Sequence, residues 1–155
     1  MKQELLHWED FAVGQTLSYG SKKVTREEII EFAREFDPQP FHVDDEAAAQ
    51  TLFGGLVASG WHTSGMFMRM MVDGLLVRST SMGSPGIDSL RWLVPVRPGD
   101  VLSVRQEVLR KVRHPRRDNI GFVDSRFEVL NQHDEVVLRA ESSGMFVVRH
   151  PEAKR

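Results

Sequence analysis

Between Gly60 and Val77 the chain carries a helix-forming stretch whose apolar residues do not keep to one face. Met66, Met70 and Leu75 align with Phe67 and Met71, so apolar side chains cover most of the circumference through Met71. A helix of that kind has to be enclosed. The material to enclose it follows directly. Gly86 to Val96, Val101 to Val112, Asn119 to Asn131 and Glu135 to Val148 all favour strands, several with period-two alternation. The breaks between them, Arg97-Pro98-Gly99-Asp100, His114-Pro115-Arg116-Arg117-Asp118 and Asn131-Gln132-His133-Asp134, are turn chemistry. An antiparallel meander preceded by a buried helix has one simple solution, a sheet wrapped on that helix. The fold class expected is therefore α+β.

The front half reads as support for a short stretch, Asp37-Pro38-Gln39-Pro40-Phe41-His42. Leu6 to Gly14 is a lead-in, with Trp8 and Phe11 packing on the body. Thr16 to Val24 makes a first strand, weakened or bulged at Gly20. Thr25 stands three residues before Glu28, a capping-box spacing, and the spacing of Ile29, Ile30, Phe32, Ala33 and Phe36 predicts a helix over Arg26 to Phe36. It ends before the prolines and delivers Asp37 at its C-terminal edge. Each proline biases its predecessor toward extended geometry, so a stiff, kinked loop is expected to present Asp37 and His42. A carboxylate and an imidazole held this way suit acid–base work, which tolerates little positional slack. Asp44 is placed to cap a short acidic-start helix. Phe53 to Gly60 and Ser79 to Gly86 read as loops.

Composition removes several classes of function. The 155 residues suit one domain, taken as 1–155, and there is no cysteine, hence no disulfide, thiolate nucleophile or cysteine metal site. The net charge of −2 supplies no general attraction to nucleic acid or anionic membrane. No run approaches the ~20 apolar residues of a membrane span, and the first ten residues lack a signal-peptide core, so a cytoplasmic protein is expected. His42, Asp44, Asp45 and His62 share no metal-ligand spacing, and no metal is expected. Ser59 and Ser64 lack a nucleophile-elbow context. The run Arg110-Lys111-Val112-Arg113-His114-Pro115-Arg116-Arg117 has three readings: a solvated hairpin tip guarding a sheet edge, a contact for coenzyme A phosphates, or a nucleic-acid patch. Pro115 and the flanking strands favour the tip.

Asp37-Pro38-Gln39-Pro40-Phe41-His42-Val43-Asp44 resembles the hydratase motif of the MaoC-like, (R)-specific enoyl-CoA hydratase family, which runs Asp, any residue, Asn, Pro, apolar, His, any residue, Asp. Val57-Ala58-Ser59-Gly60 resembles the family's second signature, and Arg91 to Asp100 its third. The match covers about residues 11–148, and the motifs come in the family's order. The resemblance implies a single hot-dog domain, a curved antiparallel sheet wrapped around a long central helix. It also implies a homodimer, alone or assembled into a higher homo-oligomer, with active sites near the subunit interface, and catalytic roles for Asp37 and His42. One position departs from the pattern: the family's Asn is Gln39 here, which bears on substrate fit more than on the reaction.

The function so implied is a hydro-lyase, adding water reversibly to a trans-2-enoyl-CoA to give a 3-hydroxyacyl-CoA, without a cofactor. That chemistry needs a base for water, an acid for the α-carbon and donors for the developing enolate oxygen. The start of the central helix is the expected place for that oxygen, with Gly60 as donor. Ser59, Trp61, His62 and Gln39 complete the candidate substrate contacts. Two rivals remain: a hot-dog acyl-CoA thioesterase, and a non-catalytic acyl-CoA-binding accessory subunit. The first is weakened because the central helix has no acidic residue before Asp73.

Overall fold

The structure, a computed structural model, describes residues 2–151. Strand β1 spans Thr16–Lys23. Helices α1 (Arg26–Phe36), α2 (Pro40–Val43), α3 (Asp45–Ala49) and α4 (Gly60–Gly74) follow. Strands β2 (Ile87–Trp92), β3 (Val101–Arg113), β4 (Ile120–Leu130) and β5 (Val136–Val147) complete the chain. All five strands form one antiparallel sheet in the order β1-β3-β4-β5-β2. This is the hot-dog arrangement of an antiparallel sheet around a central helix.

The inner face of α4, Met66, Phe67 and Met70, packs into a core with Val104, Phe127, Val129 and Leu138 of the sheet and Ile29 of α1. Phe67 and Phe127 stand ring to ring at 5.1 Å. The helix crosses β1 very closely. A Cβ on Gly20 would lie 2.6 Å from the Met70 sulfur, and one on Gly74 would lie 2.7 Å from Tyr19. Gly20 also has φ +86° and sits where the β1–β3 register slips, so no other residue fits there without strain.

Two expectations about the helices need correction. The central helix ends at Gly74, and Leu76–Arg78 is a separate 3₁₀ turn rather than its last turn. The Asp37–His42 stretch is not a loop throughout, because Pro40–Val43 closes one helical turn. Gln39 is extended (φ −70°, ψ 143°), as the residue before a proline should be. Pro40 then occupies the first helical position, where its missing N–H costs nothing and its fixed φ is already helical. His42 is therefore carried on a helical turn, which fixes it more firmly than a loop would.

Candidate active site

Helix α1 starts with the capping box: the Thr25 hydroxyl accepts from the Glu28 N–H at 3.2 Å, and the Thr25 N–H donates to the Glu28 carboxylate at 2.7 Å. It ends at Asp37, whose own N–H still donates to the Ala33 carbonyl at 2.8 Å. The carboxylate of Asp37 is thus anchored one residue beyond a rigid helix. Oδ2 accepts from the Ser59 hydroxyl at 2.7 Å, and Oδ1 accepts from the Gln39 amide at 2.8 Å. Burial alone would raise the Asp37 carboxyl. The hydrogen bonds from Ser59 and Gln39 and the neighbouring His42 outweigh that and hold it below the ordinary carboxylate range. The Gln39 side chain thus serves as a brace for one oxygen of Asp37.

His42 is buried, at 6 % exposure. Its Nδ1 lies 2.7 Å from the carbonyl oxygen of Val57. A carbonyl only accepts, so Nδ1 carries the proton and Nε2 is the nitrogen left for chemistry. Nε2 stands 3.4 Å from Asp37 Oδ2. Val57 is itself held by its N–H on the Phe41 carbonyl at 3.3 Å, and Ala58 by its N–H on Val96 at 2.8 Å.

Ser59 is the N-cap residue of α4 and is fully buried, yet its hydroxyl caps nothing on that helix. It is committed to Asp37. The first N–H groups of α4 belong to Gly60, Trp61 and His62 and have no partner within the helix. They form an electropositive end. Gly60 and His42 both line a cavity of about 350 Å³, walled by Phe41, Phe53, Thr63 and Trp92. Glycine at position 60 has a steric reason. A Cβ there would meet the Trp92 indole at 2.5 Å, so the space of the missing side chain is already filled by a wall of the cavity. Trp92 is fixed in turn by its Nε1–H on the Ser64 hydroxyl at 3.2 Å and by an edge contact with Trp61 at 5.3 Å.

The remaining candidates lie elsewhere. Trp61 is 64 % exposed and touches the cavity only through Trp92. His62 is buried beneath α1, stacked on Phe32 at 4.9 Å and 11°. Burial pushes its imidazole pKa down, against an opposing pull from Glu28. Asp44 caps α3 through the Ala47 N–H at 3.0 Å, and Asp45 pairs with Arg26. Among the described residues no group of three or more potential ligands gathers for a metal, and no helix is long and apolar enough to cross a membrane. Of the methionines, Met66 and Met70 are core, whereas Met68 and Met71 line a second, mostly apolar hollow of about 370 Å³ between α4 and the sheet. Sequence reasoning missed the Val57 carbonyl and Trp92. The first is a backbone acceptor without a residue signature, and the second lay inside a motif with no visible partner.

The Ser59 bond has a measurable consequence. In Ser59→Ala one of the two donors that hold Asp37 ionised is gone, so the carboxyl pKa rises. If Asp37 must be ionised to act, the acid limb of the kcat/KM profile moves to higher pH, with the alkaline limb in place. An acid limb unchanged from wild type would show that this bond does not tune Asp37.

A family model described as MaoC like domain matches residues 10–129. The solved structure of a MaoC-like dehydratase from Rhodospirillum rubrum is 41% identical, with a TM-score of 0.87 over 93% of this chain and 98% of that one. An (R)-hydratase, PhaJ1 from Pseudomonas aeruginosa, superposes with a TM-score of 0.71 at 27% identity, covering 90% of this chain and 84% of the other. A 3-hydroxybutyryl-CoA dehydratase of Methylorubrum extorquens is 29% identical over 143 residues, 89% of this chain and 82% of its own length.

Proposed function

This chain belongs to the MaoC-like dehydratase family, and from that premise we propose that it is an acyl-CoA hydro-lyase interconverting a trans-2-enoyl-CoA and the 3-hydroxyacyl-CoA. The observation that carries this reading is the Asp37–His42 pair, with Nε2 and Oδ2 at 3.4 Å beside the open N-terminus of α4. In the hydration direction the pair holds one water. It takes a proton from that water as the hydroxyl adds to C3 of the enoyl chain. Electrons from the C2–C3 double bond move onto the thioester oxygen, which the Gly60 N–H and the helix end stabilise. The pair then returns a proton to C2, and the thioester carbonyl re-forms. Both transfers belong to the coupled pair rather than to either residue alone. Because Nδ1–H is engaged by Val57, His42 cycles only between Nε2 lone pair and imidazolium, and the ionised Asp37 stabilises the latter.

The active unit in this reading is a homodimer formed through β2. The two edges of the sheet differ. β1 ends in Lys22 and Lys23 and is bulged after Tyr19, devices that discourage strand addition. β2 is irregular only at its start, between Ile87 and Ser89, and carries no lysine, and Ile87, Trp92 and the following Leu93 leave 57 %, 46 % and 50 % of their surface exposed. A second copy covers that apolar edge in the symmetric way that closes an assembly.

The test is turnover of a small panel of enoyl-CoA esters (short, medium and branched), followed by loss of the conjugated thioester absorbance and by product identification. Formation of 3-hydroxyacyl-CoA supports the reading. Release of free coenzyme A would instead make the protein a thioesterase. That outcome has little structural support, since Asp73, the first acid of α4, is turned outward onto Arg69 at 2.8 Å.

A further inference from the structure

Resting on the acyl-CoA and dimer readings above, we propose that the turn between β3 and β4 binds the 3′-phospho-ADP end of coenzyme A, and does so for the partner subunit's cavity. The turn is pre-shaped. The His114 ring stacks on Phe122 at 5.6 Å and 21°, and its Nδ1 accepts the backbone N–H groups of Arg116 and Arg117 at 3.1 Å each. Both arginines are exposed, and among the described residues no carboxylate pairs with either guanidinium. They rim a hollow of about 450 Å³ whose floor is Met82, Ile120 and Met145. An apolar floor beneath an imidazole and two guanidinium groups offers a purine a flat surface to lie on and its phosphates planar, multidentate donors. A solvated hairpin tip that only guarded an edge would need no such floor.

Placement decides which site the hollow serves. The Met82 N–H donates to the Met145 carbonyl at 2.8 Å, and Phe122 pairs with Met145 in the sheet, so the hollow lies just ahead of the start of β2. The cavity with His42 and Gly60 lies at the other end of β2, where Trp92 and Leu93 line it. Along one chain the two are separated by the whole strand, roughly 20 Å at the usual rise per residue. When two β2 strands pair antiparallel about a two-fold axis, the start of each lies beside the end of the other. Each hollow then faces the other subunit's cavity.

The experiment compares wild type with Arg116→Glu/Arg117→Glu, an exposed pair whose reversal leaves the core untouched. One enoyl group is offered as its CoA ester and as its pantetheine ester, which lacks the nucleotide. The expected result is a KM for the CoA ester raised on the order of tenfold or more, with kcat and the pantetheine ester unaffected. Equal effects on both esters, or none, would overturn the proposal. Should the charge reversal fail to fold, Arg116→Gln/Arg117→Gln is read the same way, with a smaller shift. Calorimetric titration with coenzyme A itself keeps the two readings apart. If wild type turns over no enoyl ester but binds coenzyme A through these arginines, the hydratase reading fails and the nucleotide site stands. Binding that is unchanged in the variant removes the site whatever the activity. Subunit origin is read from a purified mixed dimer of one His42→Ala chain and one charge-reversed chain. Its one competent cavity sits in the charge-reversed chain. A wild-type KM there means that the intact arginines of the other chain serve it; a raised KM assigns the nucleotide to the same chain and overturns the crossed arrangement.

Discussion

Asp37→Asn is expected to lower kcat for enoyl-CoA hydration by ~10²–10⁴-fold, the range a positioned acid or base contributes. The substitution keeps the shape of the side chain and removes the charge. Its amide can still accept from one of the two donors, Ser59 or Gln39, so the fold around it should survive. KM should move little, because in the proposed mechanism the carboxylate acts on the water rather than on the nucleotide or acyl chain. His42→Ala should give a loss of similar size, but with lower stability as well. Its ring is buried, and without it the Val57 carbonyl loses its donor, an omission that costs about 1–3 kcal/mol. A double variant should be scarcely worse than either single one, since in the proposed mechanism the two residues form one proton-transfer unit. Activity in Asp37→Asn within about threefold of wild type would remove this carboxylate from the chemistry.

The second large effect is expected at Gly60. Gly60→Ala places a methyl group 2.5 Å from the Trp92 indole. That ring cannot simply swing away, being tied to Ser64 and edge-packed on Trp61. Overpacking of this kind costs about 1–3 kcal/mol, and the thermal midpoint should fall by several degrees. The loss of activity should be larger than the loss of stability suggests. Either Trp92 moves into the cavity it walls, or the start of α4 moves and takes the Gly60 N–H with it. A displacement of about 1 Å at such a position is worth on the order of 10²-fold in rate. Gly60→Ala/Trp92→Leu separates the two: the smaller side chain should restore the midpoint, while the rate recovers only to the extent that the N–H has returned. A single variant that melts with wild type would mean that the indole yields freely.

How far the sequence disclosed this depends on where the determining contact lies. Helix α1 was readable to the residue because both of its ends are written locally, Thr25 with Glu28 at one and Pro38 at the other. The strands were readable within a residue or two, except that β2 stops at Trp92 rather than Val96. There the chain leaves the sheet edge to line the cavity, a tertiary event that residue preference does not encode. The turn at Pro40 was misread because a proline after an extended residue is compatible with both a loop and a helix start. The motifs drew attention to Asp37, His42, Ser59 and Gly60 together. Their separate duties were hidden, since a hydroxyl bracing a carboxylate 22 positions away and an indole filling a glycine's place 32 positions away are contacts across the fold.

Ser59 illustrates a conflict that a protein engineer would meet. A serine at the head of a helix whose hydroxyl caps nothing looks like an opening for thermostabilisation, and aspartate is the customary replacement. Here that remedy would set a second carboxylate against Asp37, the group its predecessor was holding in the ionised state. Like charges so close drive one of them to take up a proton, so any gain in helix stability would come at the expense of the ionised Asp37 carboxylate. The weakly capped end of α4 is thus a place where helix stability has been left unclaimed and the ionised state of Asp37 kept.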